Sequence, residues 1–136
     1  MDIVTQNFGW LVLLAVGLFI FLYKRITKDP NAITSKYVQT HTLHNQDNVQ
    51  RKIIESLKRS GFEAVNYDVV ESKFYARTNF TMSSWGENIT IEINIANNSV
   101  TSEFISICAF PFQIFDWGKN KRNYKRFYKE LNKLSG

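Results

Sequence analysis

Asn88-Ile89-Thr90-Ile91-Glu92-Ile93-Asn94-Ile95-Ala96 alternates without a break: Ile89, Ile91, Ile93 and Ile95 point one way, and Thr90, Glu92 and Asn94 the other. A period of two with β-branched residues on one side is the pattern of a strand with one face buried. Asn97-Asn98 suits a two-residue turn, because asparagine tolerates positive φ. The partner strand then runs from Ser99 to about Phe110, where Pro111 stops it. Pairing across that turn places Ile91 opposite Phe104, which is favourable, and Glu92 opposite Glu103, which is not. Either both carboxylates are solvated on an open face or a bulge shifts the register.

Upstream, Val65, Tyr67 and Val69 alternate, Glu71-Ser72-Lys73 turns the chain, and Phe74, Ala76, Thr78 and Phe80 alternate again, which predicts a hairpin. Before it, Val49, Ile53, Ile54 and Leu57 form a helical stripe. Asn45 or Asp47 is expected to cap that helix, with Gln50 three residues beyond Asp47 as in a capping box, and Gly61 is expected to end it. Tyr37, Gln39 and Thr40 to Leu43 suggest a first short strand. Downstream, Tyr124, Phe127, Tyr128, Leu131 and Leu134 make the core-facing stripe of a last helix. The expected fold is α+β: an antiparallel sheet of about five strands with two helices on one face, in the order β-α-β-β-β-β-α.

The run Phe8 to Tyr23 is apolar throughout and is stopped by Lys24 and Arg25. Sixteen residues make roughly 24 Å of helix, and Asn7 and Ile26 bring it closer to the hydrocarbon thickness of about 30 Å. Its eleven Leu, Ile, Val and Phe side chains favour insertion by several kcal/mol, at roughly 0.3–0.6 kcal/mol each. A cleaved signal would have bases before the run and a small-x-small site after it, whereas Asp2 precedes this one and Tyr23-Lys24-Arg25 follows. The expected organisation is a transmembrane anchor at 1–25, a linker at 26–36 marked by Asp29-Pro30-Asn31, and a soluble domain at 37–136. Lys24, Arg25 and Lys28 hold the basic side in the cytosol, so the N-terminus is expected outside and the domain inside the cell membrane. The lone Cys108 fits a reducing compartment, and the sequons at Asn79, Asn88 and Asn97 would stay unmodified there. Gly9 and Gly17, with Ala15 nearby, could let two anchors pack as a homodimer.

The chain carries 17 basic and 12 acidic residues. From Lys119 onward there are seven bases and one acid, Glu130, so the rest of the chain is close to neutral. The basic excess belongs to the last helix, and Lys125, Arg126, Lys129 and Lys133 are candidates for a surface that meets anionic lipid or an acidic protein. Nucleic acid would use the same charges, but a tethered domain is not expected to meet it. At the start of this helix, Asp116-Trp117-Gly118-Lys119-Asn120-Lys121-Arg122-Asn123 combines a turn-permitting glycine with cations that oppose the helix dipole. An anion held among Asp116, Gly118, Lys119, Asn120, Lys121 and Arg122 would relieve that opposition. The simpler reading is a structural turn in which Asp116 accepts from the first free N–H groups.

Asp116, Gly118 and Asn120 followed by an amphipathic helix resemble the C-terminal Asp-x-Gly-x-Asn signature of a family of uncharacterised small bacterial proteins, several of them membrane-associated. Asn123 is an imperfect fourth match, and the likeness covers about a quarter of the soluble part. In that family the preceding strand ends in Arg-Ser-x-Ser-Arg, where this chain has Ile107-Cys108-Ala109-Phe110-Pro111 before Gln113. The resemblance implies a strand-to-helix architecture and no particular activity.

The remaining constellations are sparse. His41 and His44 would face opposite sides of a strand, so no metal is expected, and no cofactor. Cys108 reads as a buried inert thiol. Glu92 and Glu103 would form an acid–base pair only if adjacent, and no nucleophile, base and orienting group stand together, so catalytic residues are not assigned. The expected function is a non-enzymatic membrane-tethered interaction module. The alternatives are a carrier or sensor gripping an apolar ligand among Phe110, Phe112, Phe115 and Trp117 under the last helix, and an enzyme of unknown type.

Overall fold

The computed structural model describes residues 3–27, 35–43, 47–80, 85–96, 99–110, 113 and 116–135. The chain divides into two compact units at Ile33/Thr34. The first contains helix α1, Ile3–Thr27. Its segment Phe8–Ile26 is long and apolar enough to cross a membrane, and none of it is buried as the core helix of a soluble protein would be.

The second unit contains β1 (Lys36–Leu43), α2 (Val49–Arg59), β2 (Glu63–Asp68), β3 (Lys73–Arg77), β4 (Glu87–Ala96), β5 (Ser99–Cys108) and α3 (Lys119–Ser135). It is α+β: the strands form one antiparallel sheet in the order β1-β5-β4-β3-β2. The fold class and the order of elements match the reading of the sequence. Alternation places Phe74, Ala76, Ile89, Ile91 and Phe104 against α2 and α3, whose stripes supply Ile53, Leu57, Phe127, Tyr128 and Leu131. Burying each large apolar side chain contributes roughly 1.5–3 kcal/mol.

Ile91 does pair with Phe104, and Glu92 with Glu103, in an unbroken β4–β5 register. The open face tolerates the two carboxylates because Lys73 of β3 lies beside Glu92, with Nζ 3.3 Å from Oε1. The irregular rung is instead between β2 and β3, where the register shifts between Glu63 and Asn66 and Ala64 takes φ 50°.

Several local expectations change. Asp47 is not the N-cap of α2, and Asn45 lies outside the described residues. The N-cap is Asn48 at φ 53°, without a side-chain cap hydrogen bond, and no capping box forms because Gln50 reaches across to the Tyr67 hydroxyl (3.0 Å). Gly61 does end the helix, at φ 72°: its N–H donates to the Lys58 carbonyl and the Phe62 N–H to that of Leu57. Val69 lies in the β2–β3 turn, not in the strand, because the Asp68 carboxylate accepts the N–H groups of Val70 (2.9 Å) and Glu71 (3.1 Å) and bends the chain there. Strand β3 stops at Arg77, beyond which Thr78 still donates its N–H to the Glu87 carbonyl of β4 while Phe80 lies outside the strand, and β5 stops at Cys108 instead of Phe110. The Asn97-Asn98 turn, Lys28, Asp29-Pro30-Asn31, His44, Pro111, Phe112 and Phe115 lie outside the described residues.

Candidate interaction surface

Two features meet at α3: a buried polar cluster at its N-terminus and a cationic face along its length. Phase determines the first. Extending the Ile89 and Ile91 alternation back by one step puts Glu87 on the helix-facing side, where it is fully buried. A buried carboxylate is costly unless it is hydrogen-bonded and matched by a cation. Glu87 receives the Thr78 hydroxyl, the Asn123 side-chain amide (3.3 Å) and the Lys119 ammonium (3.2 Å). The Glu87 N–H donates back to Thr78 Oγ1 at 2.8 Å, and the Thr78 N–H to the Glu87 carbonyl at 2.9 Å.

Beside it, Asn120 is fully buried and joins three elements. It accepts from Ser106 Oγ on β5 (2.6 Å) and donates to the carbonyl of Ser35, just before β1, at 3.1 Å. Its amide also approaches Cys108 Sγ at 3.8 Å, and burial pushes the Cys108 thiol up from its ordinary value. Asp116 reaches over the first turn and accepts from the N–H groups of Gly118 (2.8 Å) and Asn120 (2.9 Å). Burial raises its carboxyl above the usual range, and these donors work against that rise. Gly118 at φ 71° gives the chain the sharp entry this geometry needs, and Trp117 shares the left-handed conformation at φ 52°.

The structure therefore brings Asp116, Gly118, Lys119 and Asn120 together, but points them inward. Asp116 is itself the anion at the helix N-terminus, and the Lys119 charge is directed to Glu87. Arg122 is exposed and folds back to donate to the Trp117 carbonyl at 2.8 Å, while Lys121 is half-buried. Glu87, Thr78 and Ser106 were not singled out from the sequence. The signal for Glu87 was the inward phase of β4; Thr78 and Ser106 gave none, because hydroxyl residues occupy either face of a strand.

The cationic face extends beyond the last helix. Lys125, Arg126, Lys129 and Lys133 are all exposed. Arg126 also serves the fold, donating to the Ser60 carbonyl at the C-terminal end of α2 (3.1 Å) and lying over Phe62, where a cation suits the helix dipole. Lys133 pairs with Glu130 at 2.6 Å, which holds that carboxyl below its usual range. Packed beside α3, α2 adds Arg51, Lys52, Lys58 and Arg59. Across both helices eleven bases face two acids, Glu55 and Glu130, whereas the strands carry three bases and five acids. The domain has a positive helix layer and a slightly negative sheet.

Elsewhere, His41 packs on the Tyr128 ring, with centroids 4.3 Å apart, and among the described residues no group of His, Cys, Asp and Glu could hold a metal ion. Of the aromatics considered for an apolar pocket, Phe110 and Trp117 are exposed, and the space beneath α3 is filled by Phe104, Phe127 and Tyr128. A cleft of about 480 Å³ opens at the far edge, between the start of α2 and the β4–β5 hairpin, lined by Val49, Arg51, Tyr67, Ile93 and Ile95 among others. The chain matches no family model and no curated protein. Asp116, Gly118 and Asn120 build the entry to α3.

Proposed function

We propose that this is a single-pass membrane protein whose domain, held on the cytoplasmic side, is a non-enzymatic interaction module that presents its helix layer to an acidic protein. The observation that carries the reading is charge segregation: besides Lys119, which is directed to Glu87, ten bases stand against two acids on α2 and α3, with Lys125 and Lys129 exposed to solvent. Such a field steers an oppositely charged partner and discriminates against basic ones. Ser35, where the chain enters the domain, is fixed at the N-terminal end of α3 by Asn120, and the exposed bases Lys125, Arg126, Lys129 and Lys133 follow along the helix. Anionic lipid would answer the same field, and the test separates it from an acidic protein.

The test uses the full chain in lipid nanodiscs, with polyglutamate as the acidic probe. Binding is expected in neutral and anionic discs alike, weakening as salt rises, and lost when Lys125, Lys129 and Lys133 are all changed to Glu. Equal binding by that variant overturns the reading. Loss of polyglutamate binding on adding anionic lipid transfers the surface to the bilayer.

A further inference from the structure

A second surface lies at one end of the sheet. Phe80, Trp85 and Phe110 are 64%, 63% and 40% exposed, yet they contact one another: Phe80 meets Trp85 edge-on at 5.3 Å, and Trp85 stacks on Phe110 at 5.4 Å. Trp117, 62% exposed, is at the same end, because Lys119 two residues later reaches Glu87 at the start of β4. Three aromatic side chains held together in water are a built apolar patch, not scattered exposure.

The fold spends strong features on this patch. Gly86, next to Trp85, has φ 88°, and a Cβ there would lie 2.9 Å from the Thr78 carbonyl. The Gly86 carbonyl accepts the Ala109 N–H at 3.0 Å, tying the Trp85 side of the patch to the Phe110 side. Arg77, exposed at the end of β3, lines a cleft with Phe80 and Trp85, and Glu63 and Glu87 line it too.

We propose that Phe80, Trp85 and Phe110 form a membrane dock that seats this end of the domain in the headgroup region of the bilayer. The proposal rests on reading α1 as a membrane span. Chain path supports it: Ser35 enters at this same end, its carbonyl accepting from the Cys108 N–H (2.8 Å) and the Asn120 amide (3.1 Å), and Lys36 pairs with Ile107. Only eight residues separate Thr27, the end of α1, from Lys36, the start of β1. Fully extended they reach about 26–29 Å. A patch beside the attachment point thus stays within a short tether of any membrane α1 spans. Its chemistry fits as well, since tryptophan rings settle at the headgroup level and an arginine beside them suits lipid phosphate.

The full chain has three tryptophans, which makes the test direct. With Trp10→Phe and Trp117→Phe, Trp85 is the sole tryptophan; with Trp85→Phe and Trp117→Phe, Trp10 is. Each protein is reconstituted into vesicles whose lipids are brominated near the headgroup end of the acyl chains. Trp85 is expected to lose most of its emission to the bromine and to be blue-shifted, and Phe80→Ser with Phe110→Ser should restore much of that emission. If Trp10 is quenched and Trp85 is not, the dock is wrong while the anchor stands. If Trp10 is not quenched, both readings fall. If Trp85 resists bromine yet is shielded from acrylamide in water, a protein such as a second copy covers the patch, which also overturns the dock.

Discussion

The interior between sheet and helices is filled in two ways. Phe74, Phe104, Phe127, Ile53 and Leu57 bring no polar side-chain atom of their own, and contact alone holds them together across the layers. At the start of α3, the same layers are joined through Glu87, Thr78, Ser106, Asn120, Asn123 and Lys119, a chain of donors and acceptors that links β4, β5 and α3 to the segments flanking them. The apolar region tolerates inexact shape and depends on volume; the polar region depends on every partner being present. Having the exacting half beneath the Trp85 end and the entry of the chain means that the surfaces proposed to meet membrane rest on the part of the domain with the most specified geometry.

The contrast is first broken by volume. Phe104→Ala should destabilise the full chain in detergent by about 3–5 kcal/mol, the range for a buried Phe truncated to Ala, read by urea unfolding. A cost below about 1 kcal/mol would mean that the apolar half is loosely packed. Lys119→Met should come next, at about 3 kcal/mol, because it leaves the Glu87 carboxylate buried without its cation. Changing Glu87→Gln in the same protein should recover most of the loss. If the double variant is no better than the single one, Lys119 acts through packing and the polar half is not an electrostatic unit.

The apolar half was legible in the sequence because it obeys two periods. Ile89 to Ile95 set the strand phase, and Tyr124, Phe127, Tyr128 and Leu131 the helix stripe, so the register of Ile91 on Phe104 followed. The polar half was only partly legible. Asp116 and Gly118 declared a helix entry, since those residue types have local conformational roles, and their inward direction is what a structural turn requires. Nothing local says that Glu87 will meet Lys119, because that pairing is made by the crossing of α3 over β4. Strand ends were misread for a related reason: Val69 and Phe80 continue an alternation whose hydrogen bonds the Asp68 turn and the end of β3 have already broken.

Gly86→Ala sharpens the contrast at the border of the polar half. The added methyl would meet the Thr78 carbonyl at 2.9 Å, in a backbone conformation that L residues rarely adopt, at a cost of about 1–3 kcal/mol. Because it displaces backbone beside Trp85 and Glu87 together, the midpoint should fall while the emission of Trp85 also changes. A lower midpoint with unchanged Trp85 emission would uncouple the aromatic patch from the polar network.

Tyr128 belongs to both halves, its ring packed on Phe127 and its hydroxyl 2.8 Å from Ser102 Oγ. Tyr128→Phe should cost only about 1 kcal/mol near neutrality, one buried hydrogen bond. Its pH dependence is more telling. Burial pushes the Tyr128 hydroxyl up to about 12 from the ordinary 10.0. The folded state keeps this proton when the unfolded state has lost it, so the contribution is complete below pH 10 and drains away as pH rises towards 12. The tyrosine protein should therefore begin to lose its advantage near pH 10 and have lost it by about pH 11, the loss steepening to about 1.4 kcal/mol for each further pH unit once the unfolded chain is ionised. Tyr124, also raised by burial, is present in both proteins, and its charge adds to the rise at Tyr128. A stability gap that stays constant across this range would mean that water reaches the Tyr128 hydroxyl, and that the border between the apolar and polar halves is open to solvent.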